Sequence, residues 1–219
     1  AGHGESAAIT EPRQATARGQ AEAVVRLLDH LKVERAILCG TSMGGGVALR
    51  LAHDMPGRVT GLVLIASVNA APADNAFMRR LRSGGENELL AHHEDDGDRL
   101  ASLISARPLP VPRAIQRYAT SRRAIARAQL ERVWDAWINA APDHEVPRVL
   151  GGIKTPTLIV HGDCDRVIDI ATAHRLAIEL PAARLEVLSG VGHMPHLEAP
   201  RPMARIIGAF ADEVAKLSP

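Results

Sequence analysis

Arg35-Ala36-Ile37-Leu38-Cys39-Gly40-Thr41-Ser42-Met43-Gly44 is the stretch on which the fold turns. Ala36 to Cys39 is a short apolar run entered from a polar turn, the pattern of a strand buried on both faces. It stops at Gly40. From Met43 onward Val47, Ala48, Leu51 and Ala52 recur at helical spacing, until Asp54-Met55-Pro56-Gly57 ends the helix. Gly40-Thr41-Ser42-Met43-Gly44 therefore places a G-x-S-x-G pattern between a strand and a helix. That context turns a short motif into a nucleophile elbow, with the Ser42 hydroxyl standing at the C-terminal edge of a sheet. Gly40 and Gly44 are expected to let strand and helix approach without a Cβ clash. The Met43 backbone N–H points to the same spot and can stabilise an oxyanion. A Gly-rich strand-to-helix turn without chemistry is the plain alternative.

The rest of the chain supplies an α/β frame around this turn. A helix is expected at about 17–31, with Ala23, Val24, Leu27, Leu28 and Leu31 on one stripe, after a loop over 1–16. Val59 to Ser67 reads as a second buried strand. Strand character returns at Thr157–Val160 and at Arg184–Leu188, with helices at about 170–180 and 201–216. Strands alternating with helices predict a parallel sheet covered on both faces. Residues 71–148 are rich in Arg and Ala, break at Ser83-Gly84-Gly85 and Pro108-Leu109-Pro110-Val111-Pro112, and show helical patterns only. The expected organisation is a first core segment over 1–70, a helical cap over 71–148 and a second core segment over 149–219.

A serine hydroxyl needs a base, and the base needs an orienting acid. His161-Gly162-Asp163-Cys164-Asp165 follows the Thr157–Val160 strand, so a carboxylate lands on the catalytic edge. Val191-Gly192-His193-Met194-Pro195-His196 follows the Arg184–Leu188 strand as a loop on the same edge. Three post-strand loops thus deliver Ser, Asp and His in the chain order Ser, acid, His. Unrelated loops would not usually do this, and the reading without chemistry loses ground.

These residues resemble the α/β-hydrolase superfamily over essentially the whole chain. Gly2-His3-Gly4-Glu5-Ser6 looks like the turn after the fourth strand of such proteins, and Gly40 to Gly45 like the elbow after the fifth. Gly162-Asp163-Cys164-Asp165 is similar to the G-x-x-D acid loop, and Gly192 to Pro200 resembles the histidine loop. The cap (Asn87-Glu88-Leu89-Leu90, the Pro108–Pro112 run, Arg117-Tyr118) looks like that of monoacylglycerol-lipase-type members, as does Asp165-Arg166-Val167-Ile168-Asp169. The resemblance implies Ser42 as nucleophile, His193 as base and then acid, and Asp165 as orienting carboxylate. Asp163 is the rival acid. Asp169 is expected to start the following helix, where a carboxylate suits the dipole. His196 is expected to pack beside the site, and His161 to line it or pack at the strand end. The reaction implied is hydrolysis of a carboxylic ester with a lipophilic acyl group. A carbon–carbon hydrolase, a lactonase, a cofactor-free perhydrolase and a non-catalytic binding scaffold are the alternatives. Asp-nucleophile members are disfavoured by Ser42.

Members of this superfamily carry several strands before the G-x-G-x-S turn, and a His-Gly loop there gives a second oxyanion donor. This sequence opens at Ala1-Gly2-His3-Gly4. It reads as a fragment whose Arg35–Cys39 strand lies at a sheet edge, with Met43 N–H as the identifiable donor and with little activity or solubility expected of it alone.

Composition excludes other classes. Of 219 residues, 26 are Lys or Arg and 25 Asp or Glu, a net charge of +1, which does not suit a protein that neutralises phosphates along a nucleic acid. No apolar run approaches the roughly 20 residues of a membrane helix. No cofactor-binding or metal-ligating set is read. His92 and His93 beside Glu94-Asp95-Asp96 have no spacing that fixes a coordination geometry. Cys39 and Cys164 would end strands separated by one other, about 9–10 Å apart, so free thiols are expected, since a disulfide needs Cα atoms within about 7 Å. The flanking carboxylates should oppose a Cys164 thiolate. Trp134 and Trp137, three apart, are expected to pack the cap.

Overall fold

The computed structural model describes residues 2–68, 75–90, 93–109, 111–139, 146 and 150–217. Four strands, β1 (Ala36–Thr41), β2 (Val59–Ile65), β3 (Thr157–Gly162) and β4 (Ala183–Leu188), form one parallel sheet in the order β1-β2-β3-β4. β2 and β3 are central and almost wholly buried, whereas β1 and β4 are edges and only partly so. The expectation that the first strand lies at an edge holds for this sheet. All strand C-termini meet at one rim, so the segments after β1, β3 and β4 share it.

The period-2 pleat divides each central strand between two cores. Leu62, Leu64 and Ile159 point to one face, where they pack with Ala17 and Ala21 of α1 (Ala17–His30), Leu49 and Leu51 of α2 (Met43–Asp54) and Leu176 of α7 (Ile170–Glu179). Val63, Ile65, Leu158 and Val160 point to the other, against Met203, Phe210 and Val214 of α9 (Pro200–Leu217). A continuous apolar run is what a strand covered on both sides requires. Between β2 and β3 the described residues form α3 (Ala76–Arg82), α4 (Gly97–Ile104), α5 (Arg113–Ile125) and α6 (Arg127–Ile138), with no strand among them.

Local chemistry explains several boundaries. Thr16 accepts from Gly19 N–H at the start of α1, and Asp169 accepts from Ala171 N–H at the start of α7, as expected for that residue. The loop expected over 1–16 contains a 3-10 turn at Pro12–Ala15, where the Gln14 side chain returns to the Glu11 backbone. The expected loop around His196 contains a short helix, α8 (Pro195–Glu198), opened by Pro195 at a position that needs no N–H donor. Cys39 and Cys164 are free and exposed. Among the described residues no helix is long and apolar enough to cross a membrane. His93 N–H donates to Asp96, closing a short turn, whereas His92 and Pro110 lie outside the described residues.

The glycines of the β1–α2 connection need a correction. A Cβ at Gly40 would overlap the Gly44 carbonyl, so a side chain is excluded there; a Cβ at Gly44 would meet nothing within 4 Å. The close approaches on α2 belong to Gly45, which faces Ser67, and Gly46, which faces Val68 and Val146. Gly40→Ala should therefore destabilise the chain by about 2 kcal/mol or more. Gly44→Ala, in a helix with open space, should be neutral or stabilising by up to about 1 kcal/mol. Paired denaturant titrations check this; equal losses would show that the motif glycines act alike.

Candidate active site

Ser42 sits between β1 and α2 with φ 53° and ψ −118°, a left-handed conformation that a residue with a Cβ adopts only under constraint. The constraint is visible. Ser42 N–H donates to Ile65 O at 2.8 Å, while Ser42 O accepts from Gly45 N–H at 3.0 Å and Val68 N–H at 3.2 Å. The end of β2 and the first turn of α2 thus pin the serine from both sides. Met43 is the first residue of α2, so its N–H is one of the first-turn donors that a helix leaves without an internal acceptor.

Asp165 follows β3 and its side chain is wholly buried. Oδ1 accepts from Val167 N–H at 2.8 Å and Ile168 N–H at 2.9 Å. Oδ2 lies 2.8 Å from His193 Nδ1 and 3.3 Å from His161 Nε2. Burial alone would raise this carboxyl. The hydrogen bonds from His161 and His193, the charge of His193 and the Ile168 N–H outweigh it and bring the pKa down to about 2. A carboxylate accepts only, so His193 Nδ1 carries a proton, and in the neutral imidazole it is Nε2 that holds the lone pair.

Asp163 does not share this arrangement. It is exposed, its Oδ1 accepts from Gly190 N–H at 2.7 Å, and it ties the loop after β3 to the turn after β4. The Cys164 thiol and the Gly190 N–H hold its carboxyl below the ordinary range, and the same Asp163 contact raises the Cys164 thiol. His196 lies on α8, and burial and then the nearby His193 lower its pKa.

Ser42, Met43 and His193 line one cavity of about 420 Å³. Its other walls are mostly apolar, with Phe77, Leu89, Leu130, Trp134, Trp137 and Ile168 contributing. Trp134 and Trp137 both pack and line: Trp137 faces Gly46 of α2, and Trp134 packs on the Phe77–Leu103–Val167 cluster. The structure brings Asp165 to His193 by a hydrogen bond and Ser42 to His193 by a shared cavity. No hydrogen bond among the described residues reaches Ser42 Oγ; such contacts tighten in substrate complexes.

Two further residues shape the site. His161 is fully buried at the end of β3, and its Nε2 lies 2.9 Å from Ile168 O, so this nitrogen is the donor and Nδ1 is left buried without a partner among the described residues. Glu198 accepts from Gly192 N–H at 2.9 Å and from Ala106 N–H at 2.8 Å. One carboxylate thereby ties the backbone beside His193 to the segment just after α4. Gly192 fits because a Cβ there would meet Ala106 N at 2.7 Å.

A family model described as the alpha/beta hydrolase fold matches residues 1–200. The chain belongs to this family. It is similar to monoacylglycerol lipase ABHD6 of Mus musculus, 27% identical over 205 residues that cover 90% of this chain and 61% of that protein. It is also similar to the dihydrolipoyllysine-residue acetyltransferase component of the acetoin cleaving system of Pseudomonas putida, 31% identical over 95% of this chain and 54% of that protein. The chain thus spans about half to three fifths of the length of these relatives. Among solved structures, a membrane phospholipase A described as a bacterial virulence factor superimposes with a TM-score of 0.86 at 29% identity, over 98% of this chain and 68% of that one.

The Asp165 environment has a consequence for stability. A carboxyl whose folded pKa lies below its unfolded value of about 3.9 stabilises the fold above that value, and the contribution is lost as pH falls toward 2. Holding this carboxyl down at about 2 corresponds to about 2 kcal/mol. The stability difference between the native chain and Asp165→Asn should therefore shrink by about that amount between pH 6 and pH 2. Chemical denaturation across this range checks it; a difference independent of pH would show that Asp165 does not titrate as described.

Proposed function

We propose that this chain carries the active site of a serine ester hydrolase, with Ser42 as nucleophile, His193 as general base and acid, and Asp165 as orienting carboxylate. The observation that supports it most is the Asp165–His193 hydrogen bond, set so that His193 opens onto the same apolar cavity as the strained Ser42. Within the 71–148 segment, α3–α6 act as a cap over this cavity, and their apolar lining suits a lipophilic acyl or alkyl group. The relatives named as lipases agree with that substrate class.

In this reading the steps follow from the roles assigned to Ser42, His193 and Asp165. Ser42 Oγ attacks the ester carbonyl carbon while His193 Nε2 takes the hydroxyl proton. Asp165 holds Nδ1–H and stabilises the imidazolium that forms. Negative charge collects on the carbonyl oxygen, where the Met43 N–H donates; one such donor contributes about 3–4 kcal/mol to the barrier. Collapse breaks the bond to the alcohol oxygen, which leaves with the proton from His193. Water then attacks the acyl-serine, His193 accepts its proton, and the carboxylic acid departs as the proton returns to Ser42. Asp163, tied to Gly190, takes no part.

A fluorophosphonate probe should label the protein at Ser42, and Ser42→Ala should abolish labelling. Asp165→Asn should lower ester kcat by about a thousandfold to ten-thousandfold by favouring the wrong imidazole tautomer, whereas Asp163→Asn should change it less than about threefold. Peptide mapping and p-nitrophenyl ester kinetics read both. Labelling elsewhere, or the reverse order of the two aspartates, would overturn the assignment.

A further inference from the structure

Arg123 on α5 lines the cavity that holds Ser42 and His193. Its Nη2 donates to Leu89 O at 2.6 Å, and its Nε is buried with no hydrogen-bond partner among the described residues. No carboxylate of the described residues pairs with it. Other arginines near the surface of this segment do have acids: Arg80 meets Glu88, Arg99 meets Glu86, and Arg127 meets Glu131. Burial lowers the pKa of the Arg123 guanidinium, but an arginine stays protonated wherever the protein is folded. An uncompensated cation in an apolar cavity is costly, and a ligand that carries the opposite charge offsets that cost. Guanidinium is also suited to planar or tetrahedral oxyanions, which it meets through several N–H groups.

We infer that Arg123 is a specificity residue that recognises an oxyanion, carboxylate or phosphate, on the substrate, so that the preferred esters are acyl compounds bearing a second, anionic group. This rests on Ser42 being the nucleophile. The apolar walls take the hydrocarbon, the Ser42–His193 end takes the ester, and Arg123 takes the charge. A purely structural Arg123 would instead serve to hold the Leu89 carbonyl, and its loss would then affect charged and neutral esters alike.

The experiment compares two matched pairs of esters. Mono-p-nitrophenyl adipate against p-nitrophenyl hexanoate places a carboxylate on the acyl side. A 1-acylglycerol 3-phosphate against the same 1-acylglycerol places a phosphate on the alcohol side. At least one pair should show a kcat/KM ratio of about tenfold or more in favour of the anion. Arg123→Met should collapse that ratio toward one, Arg123→Lys should restore part of it, and the exposed neighbour Arg122→Met should leave it in place. Binding of hexyl phosphate and hexanoate against hexanol to Ser42→Ala gives the same comparison without turnover, and it serves where Arg123→Met does not fold. Fluorophosphonate labelling separates the two readings, since a chain not labelled at Ser42 fails the hydrolase proposal. No anionic preference in either pair or in binding, or a preference that survives Arg123→Met, would overturn the role of Arg123.

Discussion

The Asp165 carboxylate is the constraint on which the rest of the site depends. It is buried, it accepts from two backbone N–H groups of its own loop, and it faces two imidazoles. A buried charge persists only when its desolvation is offset by such donors. Here the offset is large enough to keep the carboxyl ionised to low pH. An ionised Asp165 in turn dictates which nitrogen of His193 holds the proton, and hence which faces the cavity with a lone pair. The Val167 and Ile168 N–H bonds orient Oδ1, which leaves Oδ2 aimed at His193. The loop after β3 is thus shaped around one side chain.

The parallel sheet makes that arrangement reachable. Because every strand runs the same way, residues 123 and 151 positions apart from Ser42 in sequence return to the same rim. β2 and β3, buried on both faces, form the rigid centre. The strained serine hangs from the end of β2 through Ile65 O, and the histidine loop rests against Gly162, where a Cβ would overlap the Val191 carbonyl. The helices between β2 and β3 then bring apolar side chains over the rim. Glu198 joins the two parts, holding Gly192 N–H on one oxygen and Ala106 N–H on the other. A shift of the segment after α4 would be felt at the backbone beside His193.

Much of this was legible in the residues themselves. The apolar runs at Ala36–Cys39, Val59–Ser67 and Thr157–Val160 lie within or across β1, β2 and β3 because buried parallel strands need unbroken hydrophobicity. The α/β class follows from the same patterns, whereas the family resemblance rests on the Gly40–Gly45, Gly162–Asp165 and Gly192–Pro200 motifs. The position of Asp163 shows where spacing alone runs short. The G-x-x-D spacing favours Asp165 over Asp163, but the physical reason, the Gly190 N–H that holds Asp163 at the turn after β4, is reached only through the fold. Gly44 misled in the opposite sense, since the pattern names it, yet the close approach to the neighbouring elements is at Gly45 and Gly46. Glu198 had no periodic signal at all: its partner Ala106 lies 92 positions away, and a carboxylate that binds backbone N–H groups leaves no complementary residue type to recognise. His161 carried a weak one, a histidine ending a fully buried strand four residues before Asp165.

The measurement that reaches the centre of this account is the tautomer of His193, read by nitrogen-15 NMR of histidine-labelled protein at neutral pH. The account predicts a proton on Nδ1, bonded to Asp165, and an unprotonated Nε2, with the pattern lost in Asp165→Asn. A neutral His193 protonated on Nε2, or an Nδ1 proton unchanged by Asp165→Asn, would contradict it.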